Sequence, residues 1–172
     1  MNPRKMSLIA MLSALATAIG VAESFIPSIG IPGVKLGLAN IIILITLYEL
    51  GVGEAFTVNI FRVFLVGMIR GTIFSMGFLM SLTGAILSLG IMIIFYLLIK
   101  KFSVIGVSVI GSLFHIFGQV LVAMAFLGSS YILLYLPFIA ISAVITGIFV
   151  GLVANAIIKT KIVSKQKEKY KF

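Results

Sequence analysis

The side chains best suited to chemistry in this 172-residue chain are a few polar residues set inside long apolar runs. Arg62 stands deep in one run, with Asn59 three residues before it and Arg70 two turns beyond, roughly on one helical face. An ionisable group in lipid costs several kcal/mol unless it faces a cavity or a partner. Arg62 therefore indicates either contact with an anionic ligand or an ion pair with Glu23, and the sequence leaves both open.

His115 and Gln119 form a second polar pair, spaced i, i+4 on one face of a later apolar run. One histidine cannot supply the three protein ligands of a catalytic zinc, so we predict no metal site. The pair is suited to hydrogen bonding a ligand or to sensing protons. Hydrogen bonding to a neighbouring helix is the alternative.

The segment from Pro27 to Asn40, PSIGIPGVKLGLAN, interrupts two apolar runs with prolines, glycines, one lysine and one asparagine. We predict a structured loop that re-enters or caps a membrane domain and contributes to a ligand site. Asn40 is expected either to cap the following helix or to contact the ligand. Lys35, Arg62 and Arg70 together make one side of the protein electropositive, which favours an anionic solute.

The composition excludes several kinds of enzyme. The chain has no cysteine and no aspartate, and its acids are Glu23, Glu49, Glu54 and Glu168. A thiolate nucleophile is therefore impossible, and four scattered glutamates cannot form the carboxylate cluster that holds catalytic Mg²⁺. There is also no GxxxxGK[ST] loop for ATP. We predict that the chain is not an enzyme, has no cofactor and takes energy from a gradient or a partner.

Hydropathy predicts an all-α, polytopic integral membrane protein with six transmembrane helices. The chain is 62% hydrophobic and 10% charged, with a mean hydropathy of +1.31. The apolar segments are roughly Met6 to Phe25, Leu36 to Leu50, Ala55 to Ile69, Ile73 to Ile99, Val104 to Leu127 and Ile132 to Ile158. The first and the last three reach the ~20 residues that cross a bilayer. The second and third are shorter and meet at Gly51-Val52-Gly53, as two short crossings or one re-entrant hairpin.

The basic residues predict the orientation, because Lys and Arg in short loops accumulate on the cytoplasmic side. With six crossings, one side holds ten of them: Arg4, Lys5, Lys100, Lys101, Lys159, Lys161, Lys165, Lys167, Lys169 and Lys171. The other side holds two, Lys35 and Arg70. We predict a plasma-membrane protein with both termini in the cytoplasm, a transmembrane domain over 1–158 and a basic tail over 159–172. The tail is better explained as a solvated stop-transfer segment than as a site for anionic lipid or RNA.

The first segment carries a stripe of small residues, Ala10, Ala14 and Ala18, on one helical face. Such a stripe allows close approach of another helix, in this chain or in a partner. A cleavable signal peptide is the competing explanation of the same segment. The other small-residue ladders, Gly67 with Gly71, Gly147 with Gly151, and Gly77, Ser81 and Ala85, are interpreted as architectural.

Several motifs resemble the Gx transporter family, often labelled heptaprenyl diphosphate synthase component I. They are PGVKLGLANI, the arginine in NIFRVFLVGMIRGT, SLTGAILS, and GSLFHIFGQVLVA followed by YLPF, and the similarity runs from about Ser7 to Ala154. That family is in turn similar to the substrate-binding S components of energy-coupling factor (ECF) transporters. The resemblance implies a six-helix S-component-like bundle. It also implies that Ala10, Ala14 and Ala18 match an AxxxA docking motif and that Pro27 to Lys35 forms a lid over an extracellular pocket.

The implied function is uptake of a small, anionic, vitamin-like or isoprenoid-related solute, such as a flavin or quinone precursor. The implied partners are a membrane coupling subunit and two ATPases, with Lys35, Asn40, Asn59, Arg62, Arg70, His115 and Gln119 as candidate substrate-binding residues. Catalytic prenyl diphosphate synthases use aspartate-rich magnesium motifs, which this chain lacks. The alternatives are a non-catalytic membrane component of heptaprenyl diphosphate or menaquinone synthesis, acting as a scaffold for a soluble enzyme, and a stand-alone transporter or channel.

Overall fold

The computed structural model describes residues 3–25, 37–99 and 102–160, with the side chain of Arg4 excepted, and over these ranges it is all-helical. The helices are α1 (Pro3–Glu23), α2 (Asn40–Glu49), α3 (Val52–Ile69), α4 (Met76–Leu98), α5 (Val104–Leu127) and α6 (Leu136–Thr160), with a 3₁₀ segment at Ser130–Tyr135. The predicted all-α class is confirmed. The lid segment from Pro27 to Lys35 and the tail after Thr160 lie outside the described residues.

Five helical segments are long and apolar enough to cross a membrane, and α2 is a shorter apolar helix. The five are Lys5–Glu23, Val52–Ile69, Met76–Leu98, Val104–Leu127 and Ser130–Thr160. At 10 residues, α2 is ~15 Å long, about half of a ~30 Å bilayer core. The chain is therefore a polytopic membrane protein, and the second predicted segment is its shortest helix.

Local signals in the sequence set where the helices begin and end. The hydroxyls of Ser75 and Ser103 accept hydrogen bonds from Phe78 N (3.2 Å) and Gly106 N (3.1 Å), which caps α4 and α5. The turn between α2 and α3 passes through Gly51 at a φ of 121°, a conformation that glycine adopts without a Cβ clash. This turn is tight, as the Gly51-Val52-Gly53 sequence predicts.

Helices α4, α5 and α6 form a closely packed wall held by glycines. An ideal Cβ on Gly84 would lie 2.7 Å from the carbonyl oxygen of His115, so α4 and α5 touch through backbone. A Cβ on Gly147 would lie 2.7 Å from Val109 Cα, and one on Gly151 equally close to Ile105 Cα. The interpretation of Gly147 and Gly151 as an architectural ladder is supported by these contacts.

Helices α1 and α3 run parallel beside each other and complete the bundle together with α2. An ion pair joins Lys5 to Glu54 at their N-terminal ends, and Gly20 lies against Val66 near their C-terminal ends. Most of α2 is buried, including Ile43, Leu44 and Leu47 in the largest apolar cluster. A helix that is apolar and buried on nearly all sides belongs to the interior of the bundle.

The alanine stripe of α1 faces away from this bundle. Ala10, Ala14 and Ala18 are exposed, whereas Leu8, Leu12 and Ala16 of the same helix are buried. The small residues therefore do not serve close packing within the described part of this chain.

We expect Gly147→Ala to lower the free energy of unfolding by about 1–3 kcal/mol, because the new methyl group overlaps the α5 backbone and the helices must separate. Gly90→Ala is the matched control, since a Cβ there meets nothing within 4 Å. The control should be neutral or more stable by up to about 1 kcal/mol. Chemical unfolding of both variants in one detergent measures the difference, and equal effects would contradict the tight α5–α6 contact.

Candidate functional site

A cavity of about 90 Å³ opens at the end of the bundle where α1 ends and α4 begins, and it reaches the middle of α3 and α5. Polar and charged side chains contribute a large part of its wall. The lining residues are Gly20, Glu23, Gly37, Arg62, Val63, Val66, Gly67, Arg70, Thr72, Ser75, Gly77, Phe78, Ser81 and His115. Such a concentration of polar groups inside an apolar bundle identifies the candidate site.

Arg62 is the central cation of this cavity, and two asparagines hold it. Its side chain is only 6% exposed. Nε donates to Asn59 Oδ1 over 3.2 Å, and Nη2 donates to Asn40 Oδ1 over 3.1 Å. Asn59 lies on the same helix, whereas Asn40 is the first residue of α2. The guanidinium therefore ties α3 to α2.

Helix α4 orients both asparagine amides. Asn59 Nδ2 donates to the carbonyl oxygen of Ala85 over 2.9 Å, and Asn40 Nδ2 lies 3.5 Å from Ser88 Oγ. Because each NH₂ group points to an acceptor on α4, each amide oxygen is left to face Arg62. Asn40 and Asn59 thus hold the guanidinium of Arg62 in place, and neither of them lines the cavity.

The neutral amide oxygens of Asn40 and Asn59 accept hydrogen bonds from Arg62, but they do not neutralise its charge. Within residues 3–25, 37–99 and 102–160, the one ion pair is that of Lys5 with Glu54. Arg62 and Glu23 line the same cavity without a direct salt bridge, and the Glu23 carboxylate acts on the Arg62 charge electrostatically. The two hydrogen bonds use two of the five guanidinium N–H groups, which leaves three for a bound group.

Glu23 brings a buried carboxylate to the cavity wall. It is the last residue of α1 and 5% exposed. Its Oε1 accepts a hydrogen bond from the backbone N–H of Gly37, just before α2. Gly37 has a φ of 82°, a conformation that favours glycine. The sequence indicated Glu23 only as a partner for Arg62, because the separation of the two side chains depends on how α1 and α3 pack.

The beginning of α4 adds hydroxyls and helix-terminal N–H groups. Arg70 and Thr72 lie in the turn before α4, and Ser75, Gly77 and Ser81 follow. First-turn N–H groups have no acceptor within the helix and carry partial positive charge. At Gly77 a Cβ would find only Ser75 Oγ, at 3.9 Å, so the backbone there is open to the cavity.

The structure separates the seven sequence-predicted binding residues into four groups. Arg62, Arg70 and His115 line the cavity, while Asn40 and Asn59 support Arg62. Gln119 is fully buried beside Gly84 in the α4–α5 contact and does not line the cavity. Lys35 lies outside the described residues.

One sequence interpretation is wrong and a second is incomplete. Asn40 does not cap α2 with its side chain, since the N-cap is Ala39 and no side-chain hydrogen bond is made there. Gly67, Gly77 and Ser81 were interpreted as architectural, and all three also line the cavity. Gly67 is tightly packed as well, since a Cβ there would lie 2.8 Å from Phe78 Cδ2. Their small-residue spacing is the same for a packing face and for a cavity wall, so the pattern carries no signal that separates the two.

Fold and site together define a polytopic helical membrane protein with a buried, mixed-charge cavity at one end of the bundle. Residues 12–157 match the family model described as heptaprenyl diphosphate synthase component I, and the chain belongs to this family. Comparison with curated proteins and with solved structures gave no match. The family description and the helical membrane fold fit a membrane component of heptaprenyl diphosphate synthesis.

We expect Asn59→Leu to lower the free energy of unfolding by about 3 kcal/mol, because it leaves a buried guanidinium and the Ala85 carbonyl short of partners. In Arg62→Met/Asn59→Leu the loss should be smaller than the sum of the single losses by about 1 kcal/mol or more. Unfolding in detergent of the two single variants and the double variant measures this coupling. Strictly additive losses would show that Asn59 does not support Arg62.

Proposed function

We propose that this protein is the substrate-binding S component of an ECF-type uptake transporter for a small anionic solute. The observation that carries the proposal is Arg62, a buried guanidinium in a cavity with neutral hydrogen-bond partners and N–H groups to spare. Inside an apolar bundle, a positive charge whose hydrogen-bond partners are neutral attracts an anion far more strongly than the same charge in water.

The anion site has three contributors on the cavity wall. Arg62 presents its unused N–H groups, Arg70 adds a second cation, and the first turn of α4 adds the partial positive charge of a helix N-terminus. A hydrogen bond from a charged donor to a ligand contributes about 1.5–3 kcal/mol. Two such contacts account for a preference of about 10²- to 10⁴-fold over a neutral analogue of equal size.

The size of the cavity limits what enters it. About 90 Å³ is the volume of about three water molecules, below the ~300 Å³ typical of pockets that enclose a drug-sized ligand. This space accepts a carboxylate or phosphate group with a few attached atoms. We therefore place the anionic head of a vitamin-like, flavin-related or quinone-related solute in this cavity.

The exposed face of α1 supports the proposed coupling to a transporter module. Ala10, Ala14 and Ala18 form a small-residue stripe on the surface, which is the form of helix face that packs closely against another membrane helix. An apolar groove between α1 and α3 borders this stripe and includes Ala14, Ala18 and Leu65. We propose that a membrane coupling subunit, itself driven by two ATPases, docks here.

The proposed orientation follows from the distribution of basic residues. Both termini are cytoplasmic, and the cavity opens to the outside of the plasma membrane. On this arrangement the solute enters from outside, and the coupling module acts on α1 to deliver it inward.

The second candidate is a non-catalytic membrane component of heptaprenyl diphosphate or menaquinone synthesis, which the family description favours. Native mass spectrometry of the protein, extracted in mild detergent from its own host, separates the candidates. A complex with a membrane subunit and two ATPases supports the transporter. A complex with a soluble prenyl synthase supports the second candidate, and transport in liposomes holding this chain alone would contradict both.

We expect Arg62→Gln to weaken retention of the co-purified anionic solute at least tenfold, because the charge is lost while a hydrogen-bonding side chain remains. Lys159→Gln, which removes a cation at the far end of α6, should retain the solute as wild type does. The measurement is the bound-ligand peak in native mass spectra, with the unfolding midpoint as a check on folding. Equal retention by both variants would exclude Arg62 from binding.

We expect Ala14→Leu to abolish solute uptake in cells while solute binding by the purified protein stays unchanged, because the larger side chain prevents close helix docking. The control is Ala125→Leu, the same substitution at an exposed position on α5. Uptake at the wild-type rate by the Ala14→Leu variant would contradict docking through this face.

A further inference from the structure

Two opposite charges share the cavity and attract each other without forming a direct salt bridge. Glu23 and Arg62 are 5% and 6% exposed and both line it, yet the ion pair in the described part of the chain joins Lys5 to Glu54. Each of the two buried charges therefore faces the cavity without a counter-ion in salt-bridge contact. A buried charge is strongly destabilising unless a partner offsets it.

The carboxylate of Glu23 has capacity for a further donor. Its hydrogen bond within the described residues is the one from the Gly37 N–H to Oε1. A carboxylate has two oxygens and about four acceptor positions, so Oε2 is open to a donor on a bound molecule. Gly37 lines the cavity together with Glu23.

A third polar group in the same wall needs a partner. The hydroxyl oxygen of Ser81 is buried and makes no hydrogen bond with the residues that the structure describes. It lines the cavity together with Glu23 and Arg62. Buried hydroxyls in native proteins are nearly always hydrogen-bonded, so this one is available to a bound molecule.

We propose that the solute is dipolar, with an anionic group bound by Arg62 and Arg70 and an ammonium or other charged N–H group bound by Glu23. An anion without such a group would lie close to the Glu23 carboxylate in a cavity of about 90 Å³ and would be repelled by it. A dipolar solute offsets the positive charge of Arg62 and the negative charge of Glu23 at the same time. This inference rests on the proposed anion site and narrows the substrate class from small anions to amino acids, aminophosphates and similar compounds.

Two matched pairs of probes test the inference. O-phosphoethanolamine is compared with ethyl phosphate, and β-alanine with propionate, so that within each pair the ammonium group is the main difference. Binding is measured by calorimetry or by the shift in unfolding midpoint, on the full chain in one detergent. We expect the ammonium-bearing member of each pair to bind about tenfold more tightly or better, as a charged hydrogen bond to a buried carboxylate implies.

Two variants test whether Glu23 causes the preference for the ammonium-bearing probes. Glu23→Gln keeps an amide oxygen for the Gly37 N–H but removes the charge, and it should abolish the preference while leaving the ethyl phosphate affinity unchanged or higher. The matched control is Glu49→Gln, a carboxylate at the opposite end of α2, which should leave the preference as in wild type. Persistence of the preference in Glu23→Gln would overturn the assignment to Glu23.

The remaining outcomes separate this inference from the proposed function. If ethyl phosphate and propionate bind in a way that Arg62→Gln abolishes, but the ammonium group gives no advantage, the anion site stands and the dipolar solute is wrong. If none of the four probes binds the wild-type protein while its unfolding transition is cooperative, both the anion site and the dipolar solute are wrong.

Discussion

The structure depends on the burial of one guanidinium group in a bundle built to lie in lipid. Arg62 is 6% exposed and receives neutral amide oxygens from Asn40 and Asn59 in place of a carboxylate. Those oxygens face the arginine only because the opposite ends of the amides are bound on α4. Helices α2, α3 and α4 are consequently fixed at one spacing around this buried charge.

The two sides of the bundle contribute differently to this arrangement. Glycines bring α4, α5 and α6 into backbone contact, which makes a wall with little freedom to shift, as the contacts of Gly84 and Gly147 show. On the other side, α1 meets α3 through the Lys5–Glu54 ion pair and the Gly20 contact. The cavity lies between these two sides, so its shape is set by backbone contacts and its polarity by the few side chains that reach it.

Helix α1 links the proposed binding and docking features. Its buried face ends in Glu23, which reaches the cavity, and its opposite face exposes Ala10, Ala14 and Ala18. A helix that touches both a solute and a partner is a direct route by which one can affect the other, because a rigid helix moves as a unit. The rest of the outer surface carries large apolar side chains such as Phe61 and Phe149, as expected of a surface that faces lipid.

The sequence by itself determined the membrane class and the all-helical fold, and it indicated that Arg62 needs a cavity or a polar partner, since apolar run lengths and the energy of burying a charge are properties of the chain alone. It also indicated Arg70 and His115 as cavity residues. Only the tertiary structure decided that Asn40 and Asn59 support the arginine, that Gln119 packs between helices and that Glu23 stays apart from Arg62. The physical reason is helix rotation. Many weak packing contacts between helices fix which face of each helix meets the cavity, and no local spacing in the sequence encodes their sum.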